Sequence, residues 1–449
     1  MQLIIDKIGK IEHAELNING LTVIAGKNDT GKSTVGKVLY AIFRALEMGP
    51  VFFDYMKKTE TLNEYIRPLC RRYIAVPSAN QELRSQLAQF LKGADLSTMR
   101  EEQSDKLAQF TPKQLLTLIS AMVNSFAGAP PLDIAEYASK AQVRLQAIEQ
   151  TSQNAKMAYN FSRTFDVMFN GTILNSKHKQ PGKYEITQEQ KRVLSVSFAQ
   201  DSLDTQLDTV LAQGIFRDVV YIESPFVLER VQTRGKPHWN ELKSVLHEKA
   251  IPQNWSQSNG NREIVNFIQE NILGKAQVSF NEDLDDFVYQ VDDQSEKLAM
   301  ANVACGVKSF VLLFLLLKLN VLNRETLLVL DEPENHLHPE FQIKYAQMIA
   351  LLVKEGFSVV LTSHSPTFIQ ALNYYARKLD IQSKVSFYLA QSEKEKNYST
   401  FQEVSANVEQ IYANLIAPTD MLFEFPAQEK GEISENPIRK QKEPSSDGL

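Results

Sequence analysis

Apolar residues fall along this chain in short strand-like runs at both ends, with a helical texture between them. Near the N-terminus, Leu3-Ile4-Ile5, Ala14 to Ile18 and Leu21 to Ile24 are separated by Gly9 and by Asn19-Gly20. Short apolar runs bounded by turn residues predict three strands. From Val35 the period changes, and Val35, Val38, Leu39, Ile42, Phe43 and Leu46 share one helical face. From about residue 50 to 170 the segments are rich in Gln, Glu and Ala and are interrupted at Pro68, Pro77, Pro112 and Pro130-Pro131. Residues 133–168 predict one long helix. No heptad persists across the region, so a helical bundle or short arm is expected rather than a long coiled coil.

Strand patterns resume at Lys183 to Thr187, Leu194 to Phe198 and Val219 to Glu223, then at Ala276 to Phe280 and Phe287 to Val291 as a hairpin. The longest apolar run, Phe310 to Leu317, is stopped by Lys318 and Asn320. It is too short to span a bilayer and predicts a buried helix. Leu327 to Leu330 and Ser358 to Thr362 suit strands covered on both faces of a parallel sheet. A helix, the strand Val385 to Ala390, a short strand near Thr400 to Val404 and a helix from Val408 to about Phe425 complete the pattern. The expected division is an N-terminal part (1–49), a helical insertion or arm (50–175), the rest of the same α/β domain (176–425) and a disordered polar tail (426–449).

Composition narrows the class. The 449 residues leave room for one large domain with a substantial insertion. A net charge of −6 and a pI of about 5.8 disfavour a role in coating nucleic acid, while a local DNA contact stays open. Two cysteines, Cys70 and Cys305, exclude a disulfide scaffold or a thiolate zinc cage. The chain opens on a strand pattern with no secretory leader, so a cytoplasmic protein without a membrane partner is expected.

The first strand-to-helix junction carries the chemistry. Gly26-Lys27-Asn28-Asp29-Thr30-Gly31-Lys32-Ser33-Thr34 is a complete G-x-x-x-x-G-K-S/T loop. A triphosphate needs many donors with no bulky side chain in the way. Gly26 and Gly31 let the backbone curl its N–H groups inward, and the N-terminus of the following helix adds its dipole. Lys32 would reach the β- and γ-phosphates of ATP, and the Ser33 hydroxyl would coordinate Mg²⁺. Far downstream, the strand Leu327 to Leu330 delivers Asp331 and Glu332. Asp331 would hold a water on Mg²⁺, and Glu332 would orient or deprotonate the attacking water. A histidine at the end of the next strand, His364, would touch the γ-phosphate.

About 25 residues before Asp331, Asn302 to Phe310 runs straight into the apolar helix. With that segment, the run Asp331-Glu-Pro-Glu-Asn-His-Leu-His-Pro339 and the turn Ser363-His-Ser-Pro366, the chain resembles ABC-type P-loop ATPases of the SMC-like and overcoming-lysogenization-defect (OLD) branch. The resemblance covers about residues 1–49 and 180–420. It implies an α/β domain with a mixed and parallel sheet, flanking helices and a large helical insertion. It also implies a signature loop at Cys305-Gly306 that closes over ATP bound to a second subunit, in a homodimer or higher oligomer. This chain has Cys305 where similar proteins usually have serine, and cysteine is the poorer hydrogen-bond donor. The backbone role of Gly306 is unaffected.

Two further clusters have bland and sharp readings. His336 and His338 with Glu332 and Glu334 suggest a metal site, but Glu332 already has a role; the resemblance instead implies that this loop crosses the dimer interface. Glu282, Asp283, Asp285 and Asp286, near Asp292 and Asp293, imitate a nuclease centre but more often form a solvated turn. Many OLD-type proteins continue into a nuclease domain with a D-x-D pair, and none is expected in the C-terminal region of this sequence. The expected function is therefore an ATPase that senses or scaffolds in a multi-component anti-phage system, similar to Septu-type ATPases. A separate effector, a nuclease or toxin, would do the damage. The alternative is an SMC-like repair or recombination ATPase that clamps DNA.

Overall fold

The structure, a computed structural model, describes eleven segments of the chain: residues 1–92, 109–171, 181–198, 203–207, 216–229, 237–250, 262–281, 283–284, 286–292, 294–393 and 398–420. The predicted tail, and the end of the helix after Val408, lie outside them.

The opening runs form β1 (Gln2–Ile8), β2 (Ile11–Asn17) and β3 (Leu21–Gly26), followed by α1 (Lys32–Thr61). Helix α1 is interrupted at Gly49, whose φ of 56° lies outside helical space, and Pro50 supplies no N–H there. The freed Gly49 carbonyl accepts from Asn160 Nδ2 at 2.6 Å. Beyond the kink come α2 (Arg67–Ala75), α3 (Gln81–Lys92), α4 (Pro112–Asn124) and α5 (Leu132–Gln150). They share a small core of their own, including Leu69, Tyr73, Leu115, Ile119, Ile134 and Leu145. This is a bundle, not a coiled coil.

The single helix predicted over 133–168 is two. Helix α6 (Gln153–Phe169) starts afresh after α5, with the Ser152 hydroxyl accepting from Ala155 N at 3.2 Å. The polar stretch Gln150 to Asn154 carried that N-cap signal. The two helices also serve different cores. Met157, Phe161 and Phe165 of α6 pack with Tyr184 and with the first half of α1, beneath the main sheet.

The strands after the bundle are β4 (Gly182–Gln188), β5 (Lys191–Phe198), β6 (Leu203–Leu207) and β7 (Asp218–Ile222). Helices α7 (Pro237–Ala250) and α8 (Arg262–Ile268) follow. Next come the hairpin β8 (Gln277–Asn281) and β9 (Asp286–Gln290), and then β10 (Leu298–Ala299). These last three strands form a small separate sheet. The chain then runs through α9 (Cys305–Lys318), β11 (Thr326–Asp331), α10 (Pro339–Lys354), β12 (Ser358–Ser363) and α11 (Pro366–Lys378). It ends with β13 (Val385–Glu393), β14 (Tyr398–Glu403) and α12 (Glu409–Asp420).

Among the described residues eleven strands make the main sheet, in the order β6-β5-β4-β1-β2-β14-β13-β3-β12-β11-β7. The run β13-β3-β12-β11-β7 is parallel throughout, and the β6 to β2 side is antiparallel. Strand β3 sits between β12 and β13, so its carboxyl end opens on the edge where β11 and β12 also finish. Open parallel sheets bind ligands on that edge. Both faces of the parallel part are covered. Ile24, Val329 and Val360 face α1, whereas Val23, Leu328, Leu330, Val359 and Leu361 face α9, α10 and α11. That double burial is why these strands read as unbroken apolar runs.

Candidate active site

The loop between β3 and α1 is shaped by its glycines. Gly26 pairs with Ala390 of β13, and a Cβ there would lie 2.5 Å from the Ala390 carbonyl oxygen. Gly31 has a φ of 79°, which glycine adopts without strain. Between them Lys27, Asn28 and Asp29 are exposed, and Asp29 pairs with Lys10. Thr30 Oγ1 and Lys32 Nζ both donate to the Lys27 carbonyl, at 2.9 and 2.8 Å. Gly31 gives α1 no capping side chain, and its first turn carries no acidic residue. The orphan N–H groups and positive dipole end of the helix therefore face the loop. Thr34 N donates back to the Gly31 carbonyl at 3.1 Å.

Lys32 is only 4% exposed. Burial lowers its affinity for a proton below that of an ordinary lysine, although Glu332, Asp331 and Glu334 all act to hold the charge. Its Nζ lies 3.6 Å from Glu332 Oε1.

The register of β11 and β12 sets Asp331 opposite Thr362. Asp331 Oδ1 accepts from Thr362 Oγ1 at 2.6 Å and from Ser33 Oγ at 2.9 Å, while Oδ2 accepts from Tyr221 OH at 3.4 Å. Burial pushes this carboxyl above the usual range. The Thr362 and Ser33 hydroxyls oppose the rise, and Glu332 and Glu223 add to it. A divalent cation beside Ser33 and Asp331 would relieve the cost of that buried charge, so the pair fits Mg²⁺.

Glu332 has a φ of 48°, and its N–H donates to Thr362 Oγ1 at 3.0 Å. Thr362 thus grips both carboxylate-bearing residues. Glu332 Oε1 lies 3.2 Å from His364 Nδ1, and Oε2 accepts from Asn335 Nδ2 at 3.1 Å. Burial raises this carboxyl, but Asn335, His364 and Lys32 together hold it below the usual range. On the α9 side a cavity of about 140 Å³ opens beside both carboxylates, lined by Glu223, Ser224, Ser309 and Tyr345 among others.

Glu334 was weighed from sequence only as a metal ligand. In the fold it is buried, and its Oε1 accepts from Ser363 Oγ at 2.7 Å, His364 N at 3.0 Å and Ser365 N at 3.3 Å. His336 and His338 have other occupations. The His336 ring packs 5.8 Å from that of Phe226, and His338 Nδ1 accepts from Glu340 N at 3.4 Å to cap α10. Thr362, Tyr221, Asn335 and Glu334 were all missed as site residues. Tyr221 and Thr362 belong to no spaced motif, and strand register brings them to Asp331, whereas Asn335 and Glu334 lie within the Asp331 to Pro339 run without a spacing that announces their partners.

Cys305 and Gly306 begin α9. A Cβ on Gly306 would meet Leu337 Cδ2 at 3.4 Å and the His336 carbonyl oxygen at 3.8 Å, so this turn rests on the loop after β11. Two residues on, Lys308 is buried and donates to Glu229 Oε1 at 2.5 Å and to the Ala301 carbonyl at 3.2 Å. In the acidic hairpin, Asp286 accepts from its neighbour Phe287 N, and Asp292 accepts from Gln294 N and Ser295 Oγ. Glu282, Asp285 and Asp293 lie outside the described residues. No described helix is long and apolar enough to cross a membrane.

A family model described as an AAA ATPase domain matches residues 2–369. No curated protein sequence matches the chain. Among solved structures, the chain is similar to the SMC head domain from Thermotoga maritima, at 9% identity and a TM-score of 0.37, covering 90% of this chain and 98% of that one. It is also similar to an Smc head bound to the C-terminal winged-helix domain of ScpA, at 10% identity and a TM-score of 0.42, with 91% and 98% covered. A third, the Smc head domain with an extended coiled coil from Pyrococcus furiosus, gives 10% identity, a TM-score of 0.34, and 93% and 98% covered.

Proposed function

The chain belongs to the AAA ATPase domain family, and from that premise we propose that it binds ATP with Mg²⁺, hydrolyses it, and uses the cycle to switch a pair of its own copies. The observation that carries this reading is the convergence at the carboxyl edge of the sheet. Lys32 and Ser33 of the phosphate loop lie 3.6 and 2.9 Å from Glu332 and Asp331, residues about 300 positions downstream.

In this reading the backbone N–H groups of Gly26 to Thr34 cradle the phosphates, Lys32 leaves the Lys27 carbonyl to bridge the β- and γ-phosphates, and Ser33 and Asp331 hold Mg²⁺. Bound there by Ser33 and Asp331, Mg²⁺ would supply positive charge to offset that of the phosphates. Glu332 takes a proton from water as its oxygen attacks the γ-phosphorus. The bond from that phosphorus to the β,γ-bridging oxygen breaks, giving ADP and phosphate. His364, beside Glu332, contacts the γ-phosphate and reports its loss. Cys305 and Gly306 present the N-terminus of α9 to ATP held by the other subunit.

The Asp331 to Pro339 run and the Ser363-His364-Ser365-Pro366 turn support placing the chain in the OLD-like branch. On this reading the ATP state of the dimer controls a separate effector, a nuclease or toxin, in anti-phage defence, as the similarity to Septu-type ATPases implies. The acidic balance of the chain and its helical bundle in place of a coiled coil support this over an SMC-like DNA clamp.

Phosphate release from ATP, measured with and without Mg²⁺ for the wild type and Lys32→Ala, tests the core of the reading. Mg²⁺-dependent release is expected from the wild type. Lys32→Ala should bind ATP roughly 10²-fold more weakly, because it loses charge-assisted bonds to two phosphates. Wild-type affinity in Lys32→Ala removes the assignment of this loop.

A further inference from the structure

We propose that Glu334 is a positioning residue for the hydrolytic centre, a buried carboxylate that fixes the backbone of Ser363 to Ser365 and so sets His364 against Glu332. This inference rests on the proposed ATPase reading of the same site.

The geometry has three parts. First, one oxygen of Glu334 gathers three donors from consecutive residues, Ser363 Oγ, His364 N and Ser365 N, at 2.7, 3.0 and 3.3 Å. Two of them are main-chain groups, so the carboxylate defines the path of the turn, not merely one rotamer. Second, the side chain is 2% exposed, and its Oε2 has no hydrogen-bond partner among the described residues. A buried carboxylate with one unsatisfied oxygen is costly to keep for stability alone. Third, the turn it fixes places His364 Nδ1 at 3.2 Å from Glu332 Oε1 and 3.7 Å from Glu334 Oε1.

Glu334 is itself anchored in the loop that bears Glu332. Its carbonyl accepts from Leu337 N, and the Glu332 carbonyl accepts from Asn335 N, both at 3.0 Å. Leu337 in turn touches the Gly306 position. A shift of the Ser363 to Ser365 turn on γ-phosphate loss would therefore be passed through Glu334 to the loop beneath the start of α9. The carboxylate ties the two strand ends into one unit.

Two measurements on the full chain decide the role. Glu334→Ala removes the acceptor, and Glu334→Gln keeps an oxygen for the same three donors. In nucleotide-free protein, hydrogen exchange at His364 and Ser365 should accelerate by about tenfold or more in Glu334→Ala and stay near wild type in Glu334→Gln. In steady-state hydrolysis, Glu334→Ala should lower kcat by an amount on the order of 10²-fold with little change in KM, and Glu334→Gln should recover most of it. Combined with His364→Ala, the Glu334→Ala loss should largely disappear, since both act through one side chain. Multiplicative losses, equal defects in the Gln and Ala variants, or wild-type exchange in Glu334→Ala would each overturn the role. Ser363→Ala, which deletes one donor and no charge, serves if Glu334→Ala does not fold. It should show a smaller shift of the same kind in both measurements, and unchanged exchange would overturn the role. A wild-type chain that hydrolyses no ATP defeats the proposed function, and the exchange comparison still decides Glu334.

Discussion

The Ser33 hydroxyl donates to Asp331 Oδ1 at 2.9 Å across 298 residues of sequence. One strand makes this possible. Strand β12 lies between β3 and β11, in register with both, so the helix that follows β3 starts beside the end of β11. Thr362 at the end of β12 fills the gap, donating to Asp331 and accepting from Glu332 N. Neither half of the split domain holds a site alone. The helical bundle can interrupt the chain without disturbing the centre because it leaves from the far part of α1, beyond the kink at Gly49.

Glu332→Gln should retain ATP and hydrolyse it about 10² to 10⁴ times more slowly, because an amide cannot accept the proton of the attacking water. The environment of Glu332 favours the charged base. Its contacts with Asn335, His364 and Lys32 outweigh burial and keep the carboxyl ionised at neutral pH. The variant should therefore accumulate ATP-loaded protein, seen as unhydrolysed nucleotide after rapid gel filtration. Unchanged turnover would exclude Glu332 as the base, and Glu223, which also lines the cavity, would become the next residue to replace.

Most of this centre was legible in the sequence because its parts carry their spacing with them. The Gly26 to Thr34 loop, the apolar run into Asp331 and Glu332, and the strand ending at His364 each combine a local pattern with a required chemistry. What stayed hidden depends on neighbours that only tertiary pairing supplies. Tyr221 reaches Asp331 because β7 pairs with β11, and no local pattern announces that. Glu334 looked like half of a metal site because its two histidine neighbours drew the eye, yet the loop sends one ring to Phe226 and the other to cap α10. The division of residues 133–168 was written locally, in Ser152, and was overridden by a helical period that continues on both sides.

Gly26→Ala and Gly306→Ala should separate two kinds of glycine. At Gly26 the new methyl would sit 2.5 Å from the Ala390 carbonyl oxygen, a backbone atom held in the paired strand β13. Strands β3 and β13 would have to part, at a cost of about 1–3 kcal/mol. At Gly306 the nearest atom is the end of the Leu337 side chain, at 3.4 Å, an ordinary contact. Chemical denaturation should show a lower midpoint for Gly26→Ala and little change for Gly306→Ala. Equal midpoints would mean that the loop relaxes more freely than the strand pairing implies.

The composite site makes the sharpest prediction. Gly306 stands at the start of α9, over the loop of residues 336–337, and in the proposed pairing it serves ATP bound to the other subunit. Gly306→Asp would set a carboxylate against a γ-phosphate in a poorly solvated interface, where like charges repel strongly. It should leave the chain's own phosphate loop intact and block closure. Lys32→Ala has the complementary defect, a lost phosphate grip with an intact α9 terminus. Each variant alone should be inactive. In a mixed dimer, the Gly306→Asp chain keeps a working phosphate loop, and the Lys32→Ala chain offers it an unaltered Gly306. One complete site survives, and its partner site carries both defects. Random mixing at equal amounts makes about half of the dimers mixed, each with one of two sites, so activity should return to about a quarter of wild type if the sites act independently. Titrating one variant against the other while measuring phosphate release gives the curve, with its maximum at equal amounts. A flat line at background, with mixed dimers demonstrated by differential tags, rejects the composite site. So does a wild-type chain that remains monomeric at saturating ATP and hydrolyses at full rate.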